Sequence, residues 1–136
     1  MYTFDVSYLF KLGEGSQHLL RPLVRYTIND SEGAAIKGDA YLLQLSYVFL
    51  GQGYSVVSNV AFGGSNQDTR NPLFGVKTNS NRYVVDSTLF YRLPAASGRW
   101  QALCGILWGK DDSNVNFYDS TAFNVNVGVM HRFAGR

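Results

Sequence analysis

The sequence predicts an all-β protein. The expected fold is an antiparallel up-and-down transmembrane β-barrel, or the C-terminal seven or so strands of one. Three observations predict it. Seven segments alternate apolar and polar residues with a period of two, the signature of a strand with two unlike faces. Aromatic residues gather at the ends of those segments, as rings do at the two interfaces of a membrane. The connections alternate short and long, as they do in outer-membrane barrels, where periplasmic turns are short and external loops longer.

The pattern is clearest from Phe123 to Phe133. Phe123, Val125, Val127, Val129, His131 and Phe133 lie on one face; Asn124, Asn126, Gly128, Met130 and Arg132 lie on the other. The first strand, Tyr2 to Lys11, sets Tyr2, Phe4, Val6, Tyr8 and Phe10 against Asp5 and Lys11. A turn over Leu12 to Gln17, which includes His18 at its edge, leads to the second strand, His18 to Ile28. Its apolar face is Leu20, Pro22, Val24, Tyr26 and Ile28, with Arg21 and Arg25 opposite. Pro22 lacks a ladder donor and is a misfit, best tolerated near the strand's start. A polar loop, Asn29 to Asp39, follows.

The third strand, Tyr41 to Leu50, faces Tyr41, Leu43, Leu45, Tyr47 and Phe49 one way and Gln44 and Ser46 the other. Gly51-Gln52-Gly53 turns the chain into the fourth, Tyr54 to Gly63, with Val56, Ser58, Val60 and Phe62 against Asn59. A long loop is expected from Gly64 to Asn81. The fifth strand, Arg82 to Leu93, sets Tyr83, Val85, Ser87, Leu89 and Tyr91 against Asp86 and Arg92. After the turn Pro94 to Gly98, the sixth runs Arg99 to Gly109, with Trp100, Ala102, Cys104, Ile106 and Trp108 opposite Gln101. Lys110 to Ser120 is expected as a polar loop before the seventh strand.

No Asp, Glu, Lys or Arg falls on the apolar face of any of the seven segments. Alternation alone does not say whether that face looks inward or outward. Its many bulky rings would overfill a small interior, so it is assigned to lipid. The aromatic girdle is then Tyr2, Tyr26, Tyr41, Tyr83, Trp108 and Phe123 at one rim, joined by Phe62, and Tyr54, Tyr91 and Trp100 at the other, joined by Phe10, Phe49 and Phe133. The lumen is lined by Asp5, Arg21, Arg25, Gln44, Asn59, Asp86, Arg92, Gln101, Asn124, Asn126 and Arg132, with charges pairing across it.

The 136 residues make a single domain. The net charge of +2 gives no footprint for nucleic acid. One cysteine, Cys104, excludes an internal disulfide. Met1 is followed at once by strand pattern, with no basic and apolar leader. Together with the seven strands, an odd number, this leads us to expect that the front of a longer chain is missing.

The end of the chain resembles the C-terminal signal strand of bacterial outer-membrane proteins, in Val127, Val129, His131 and Phe133. That resemblance implies recognition of Phe133 by the outer-membrane insertion machinery; the tail Ala134-Gly135-Arg136 departs from it. Asn71-Pro72-Leu73-Phe74-Gly75, Arg82-Tyr83 and Asp112-Ser113-Asn114-Val115-Asn116-Phe117-Tyr118-Asp119 resemble the last hairpins of the barrel in surface lipoprotein assembly modifiers and related barrels linked to tetratricopeptide repeats. The likeness covers roughly the second half of the chain. It implies a Gram-negative outer-membrane location and an exported lipoprotein as partner.

Catalytic chemistry is sparse. His18 and His131 stand apart with no carboxylate at ligand spacing, so neither a metal nor a cofactor is expected. Ser58 and Ser87 lie on the apolar face without a base at the same height. Asp111, Asp112, Asn114, Asn116 and Asp119 form one oxygen-rich cluster, without the glycine and terminal glutamate of a calcium loop. The expected function is non-enzymatic: a porin-like pore, or a translocation or surface-export component. The competing reading is a soluble, lipocalin-like barrel around a small apolar ligand; a membrane-embedded hydrolase is a third.

Overall fold

The computed structural model describes residues 1–13, 15, 17–30, 37–71, 73–94 and 100–131. Eight strands form one antiparallel sheet: β1 (Tyr2–Ser7), β2 (Phe10–Leu12), β3 (His18–Asn29), β4 (Gly38–Leu50), β5 (Tyr54–Arg70), β6 (Lys77–Arg92), β7 (Trp100–Ser113) and β8 (Ser120–His131). β1 and β2 both pair with β3, and from β3 to β8 each strand pairs with its successors in sequence. The topology is the up-and-down meander that the alternation predicts. The sheet is open, because β1 and β8 do not pair with each other. No described helix is long and apolar enough to cross a membrane, which says nothing of strands.

β1 and β2 are one pass of the chain with a gap in it. Val6 pairs with Val24 and Phe10 with Leu20, so the register is unbroken across Tyr8 and Leu9. The gap lies opposite Pro22. The Tyr8 amide still donates to the Pro22 carbonyl at 3.3 Å, but proline has no N–H to return. In an antiparallel ladder a residue's N–H and C=O point to the same side. The missing donor therefore faces β1–β2, while Pro22 keeps its place opposite Leu45 of β4. Pro22 lies in mid-strand, not near the strand's start, and its loss is confined to the one rung where the first pass breaks between β1 and β2.

Three further expectations need correction. His18 is not in a turn but is the first residue of β3. Most of the loop expected over Gly64 to Asn81 is strand. β5 runs on to Arg70 and β6 begins at Lys77, with a bulge between Asn66 and Arg70. Likewise Lys110 to Ser113 belongs to β7. These polar segments zip up because hairpin ladders satisfy their backbone groups without a buried face. Arg132, Phe133, the tail and the turn residues 95–98 lie outside the described residues.

Among the described residues no apolar side chain is buried. Only Gly63 and Gly105 are, and both lie on the mixed face. The face of valines, leucines and rings is the open one: Leu45 is 45 % exposed, Ile106 52 % and Val127 79 %. This sheet has no hydrophobic core of its own.

Candidate functional site: two ring belts and a mixed inner face

Cross-strand register turns the scattered aromatics into an ordered array. At the end of the sheet nearer the β5–β6 hairpin tip, three ring pairs face each other directly: Tyr26 and Tyr41, Phe62 and Tyr83, Trp108 and Phe123. At the opposite end His18 faces Phe49, Tyr54 faces Tyr91, and Trp100 faces His131. On the first pass Tyr2 and Phe10 hold the same two places. Every pass thus carries a ring at each end, eight residues apart: 2 and 10, 18 and 26, 41 and 49, 54 and 62, 83 and 91, 100 and 108, 123 and 131.

The belts do not follow the hydrogen-bonded rows. Tyr41 lies in a row with Gly64, whereas the next pair, Phe62 and Tyr83, sits two residues along. Trp108 and Phe123 lie two residues further again, since Trp108 is opposite Val85. Two residues of about 3.4 Å for every two strands of about 4.8 Å incline the belts by roughly 35° to the rows. That is the strand tilt of a closed barrel. Ring contacts join successive steps: Tyr41 to Phe62 at 5.6 Å, Phe62 to Tyr83 at 5.0 Å, His18 to Phe49 at 4.9 Å and Phe49 to Tyr54 at 5.2 Å. Tyr41 lays its ring over Gly64, where a Cβ would come within 2.7 Å of it, and its hydroxyl reaches the Asn81 amide oxygen at 3.4 Å.

Midway between the belts the cross-strand partners are Pro22 and Leu45, Ser58 and Ser87, and Cys104 and Val127. The Ser58 and Ser87 hydroxyls bond each other at 2.8 Å. They are not paired with a base. His18 Nδ1 instead contacts the Tyr47 hydroxyl at 2.8 Å, and His131 packs against Trp100 at a tilt of 49° with ring centroids 4.6 Å apart.

Of the thirteen girdle rings named from the sequence, twelve lie in the belts, and Phe133 falls outside the described residues. The two histidines belong there as well: His131, which the alternation already set on that face near its end, and His18, which sequence reasoning missed. The recurrence of a ring at i and i+8 was the signal that would have found it.

The other face holds Asp5, Arg21, Arg25, Gln44, Asn59, Asp86, Arg92, Gln101, Asn124 and Asn126 together, as alternation requires. The open sheet leaves pairing across a lumen untested. The charges pair along the sheet with the residue next door: Arg25 holds Asp5 through two bonds of 2.7 and 2.8 Å, and the Asn59 amide donates to Asp86 at 2.9 Å. Arg21 and Arg92 make no ion pair among the described residues. The face is also less polar than expected, because Leu19, Leu23, Leu42, Val48, Val57, Val84, Phe90, Leu103 and Leu107 share it. Gly105 makes room on it for the Asn126 amide, which a Cβ would strike.

Beyond the first belt, the β5–β6 and β7–β8 hairpins are tied together. Arg82 holds Asp111 at 2.6 and 3.1 Å, and Ser120 adds a hydroxyl at 3.3 Å. That hydrogen bond and charge keep the Asp111 carboxyl below the usual carboxylate range and raise Arg82. Asn114 accepts from the Asn79 amide and donates to the Lys77 carbonyl, while Asp119 accepts from the Ser113 amide. Asn71 caps its own turn by accepting from the Leu73 amide, and Phe74 packs against Tyr118. Asp111, Asn114 and Asp119 of the oxygen-rich cluster thus tie the hairpins, Asp112 pairs with Lys110 at 2.7 Å, and no group of His, Cys, Asp or Glu suited to a metal occurs among the described residues. An open cleft of about 340 Å³ lies beside Arg82 and Asp111, lined by Ser65, Gln67, Thr78, Ser80 and Tyr118.

No curated protein and no solved structure matches the chain. Residues 1–132 match the family model described as "Protein of unknown function (DUF2860)", and the chain belongs to that family.

Proposed function

We propose that this sheet is part of the wall of a β-barrel in the bacterial outer membrane, with a non-enzymatic role in passage, translocation or surface export. The observation that carries it is the pair of ring belts, eight residues apart on every pass. Eight residues of about 3.4 Å, inclined by roughly 35°, span about 22 Å, close to the ~25 Å apolar band of such barrels. Rings at both edges of that band and aliphatics between them suit lipid. The mutual bond of Ser58 and Ser87 supports the same reading, since hydrocarbon offers a hydroxyl no other partner. An exposed apolar face with no core behind it needs a non-aqueous cover.

The inner face then lines the passage. Lys11, Arg21 and Arg92 leave its turn-side half cationic, which favours anionic over cationic solutes. The finer likeness is to the barrels of surface lipoprotein assembly modifiers. It rests on the motifs that tie the two hairpin tips together, and under it the cargo is an exported lipoprotein. The soluble, lipocalin-like reading is weaker, because it requires Leu45, Ile106 and Val127 to converge on a dry centre. A hydrolase lacks support too, as the two serines bond each other and no carboxylate shares the apolar face with them between the belts.

The test is to express the complete gene in a Gram-negative host and fractionate the cells. Recovery with the outer membrane is expected, and recovery in the cytosol overturns the reading. In vesicles, Trp100 and Trp108 should be quenched more by lipids brominated near the headgroup than by lipids brominated near the chain end.

A further inference from the structure

Six antiparallel steps separate the first pass from β8, so the two edge strands run in the same direction. They cannot close an antiparallel wall on each other. A second copy related by an axis along the barrel offers only another parallel β8, and an axis across the barrel would put its tips on the wrong side. Antiparallel closure therefore needs an odd number of further strands. Seven passes are also one fewer than the eight of the smallest single-chain barrels.

The edges look like interior strands left bare. Natural free edges are blunted by lysine, proline or a bulge. Neither β1 nor β8 contains Lys, Arg, Glu or Pro, and the one lysine of the first pass, Lys11, lies in β2 past the belt residue Phe10. On β1, Phe4 is 63 % and Val6 74 % exposed. The ring belts point the same way. From β3 onward every belt ring faces a ring on one neighbouring strand, in the pairs β3–β4, β5–β6 and β7–β8. Tyr2 and Phe10 sit one step further up the same staircase, opposite Ile28 and Leu20 rather than rings. Each is half of a pair.

We propose that the free edge of β1 is paired by an antiparallel strand of the same polypeptide, N-terminal to Met1, carrying two rings eight residues apart opposite Phe10 and Tyr2. Hydrogen-bonded neighbours in this sheet follow one another along the chain, which gives the place beside β1 to the preceding segment. The inference rests on the barrel reading for the need to close, while the register follows from the sheet alone. If residue k is the ring opposite Tyr2, residue k−8 is the ring opposite Phe10, and residue k−2 faces Phe4.

The experiment uses the complete gene product in native membranes, with Cys104→Ser as background. Phe4→Cys is combined in turn with a cysteine at k−3, k−2 and k−1, and membranes are oxidised before non-reducing electrophoresis. The expected result is one efficient intramolecular cross-link, at k−2, with the inward-pointing neighbours at least tenfold weaker. Three outcomes overturn the inference. The upstream sequence lacks a ring pair at that spacing; Phe4→Cys alone yields a cross-linked dimer; or no position cross-links although Val127→Cys bonds native Cys104 in a control. The fraction in which the cross-linked protein is found reports on the barrel reading separately.

Discussion

Leu45→Arg is the sharpest probe of the belts. Leu45 lies four residues from Tyr41 and four from Phe49, at the centre of the apolar face, which the proposed barrel turns to lipid. Four residues at about 3.4 Å and roughly 35° of tilt put it about 11 Å from either belt. An arginine at a bilayer midplane costs about 2–4 kcal/mol, against about 0–1 near an interface. At about 1.4 kcal/mol per factor of ten, that is roughly a 30- to 700-fold loss in the folding equilibrium. Val60 is the direct ladder partner of Leu45 but sits only two residues from Phe62, close to the belt nearer the β5–β6 hairpin tip. Val60→Arg therefore reaches the interface and costs less. Gln44→Arg points inward and should cost less still. Guanidinium unfolding of the complete protein in phosphatidylcholine vesicles, followed by tryptophan fluorescence, measures all three. Equal costs for Leu45→Arg and Val60→Arg would show that the belts do not mark membrane depth. A larger cost for Gln44→Arg than for Leu45→Arg would mean that the faces are assigned backwards.

Three other outcomes follow from the same geometry. Ser58→Ala or Ser87→Ala alone strands a hydroxyl and should cost about 1–3 kcal/mol, whereas the double alanine should be near neutral; strictly additive single effects in a double-mutant cycle would refute the pairing. Pro22→Ala returns a donor opposite the Tyr8 carbonyl, so the new amide should be protected from hydrogen exchange; the bond gained, about 1 kcal/mol, is largely offset by a freer unfolded chain, and an unprotected amide would refute the account of the gap. The Arg82 hydrogen bond lowers the Asp111 pKa in the fold, so the stabilisation is present above the unfolded value near ~3.9 and is lost as pH falls through the folded one. For a pair this exposed the effect is about 0.2–1 kcal/mol, read as a lower protection factor at the hairpin tip in acid once the intrinsic pH dependence of exchange is divided out, and Asp111→Asn should abolish that fall in protection.

The period-2 alternation by itself determined that Tyr2 to His131 is a set of antiparallel passes, which face each residue takes, and where most rings fall. That is because a strand's side-chain direction is a local property of the backbone. Local composition misled where a ladder could override it. Gly64 to Arg70 and Lys110 to Ser113 read as loops because they are polar, yet their backbones pair with partners far along the chain. Only the tertiary structure decided the register. Register set Arg25 against Asp5, matched Ser58 to Ser87, and put the break in the first pass opposite Pro22. It also lined up rings from seven separate segments into two inclined belts, because relative height across strands is fixed by hydrogen bonds between them and is written in no single stretch of sequence.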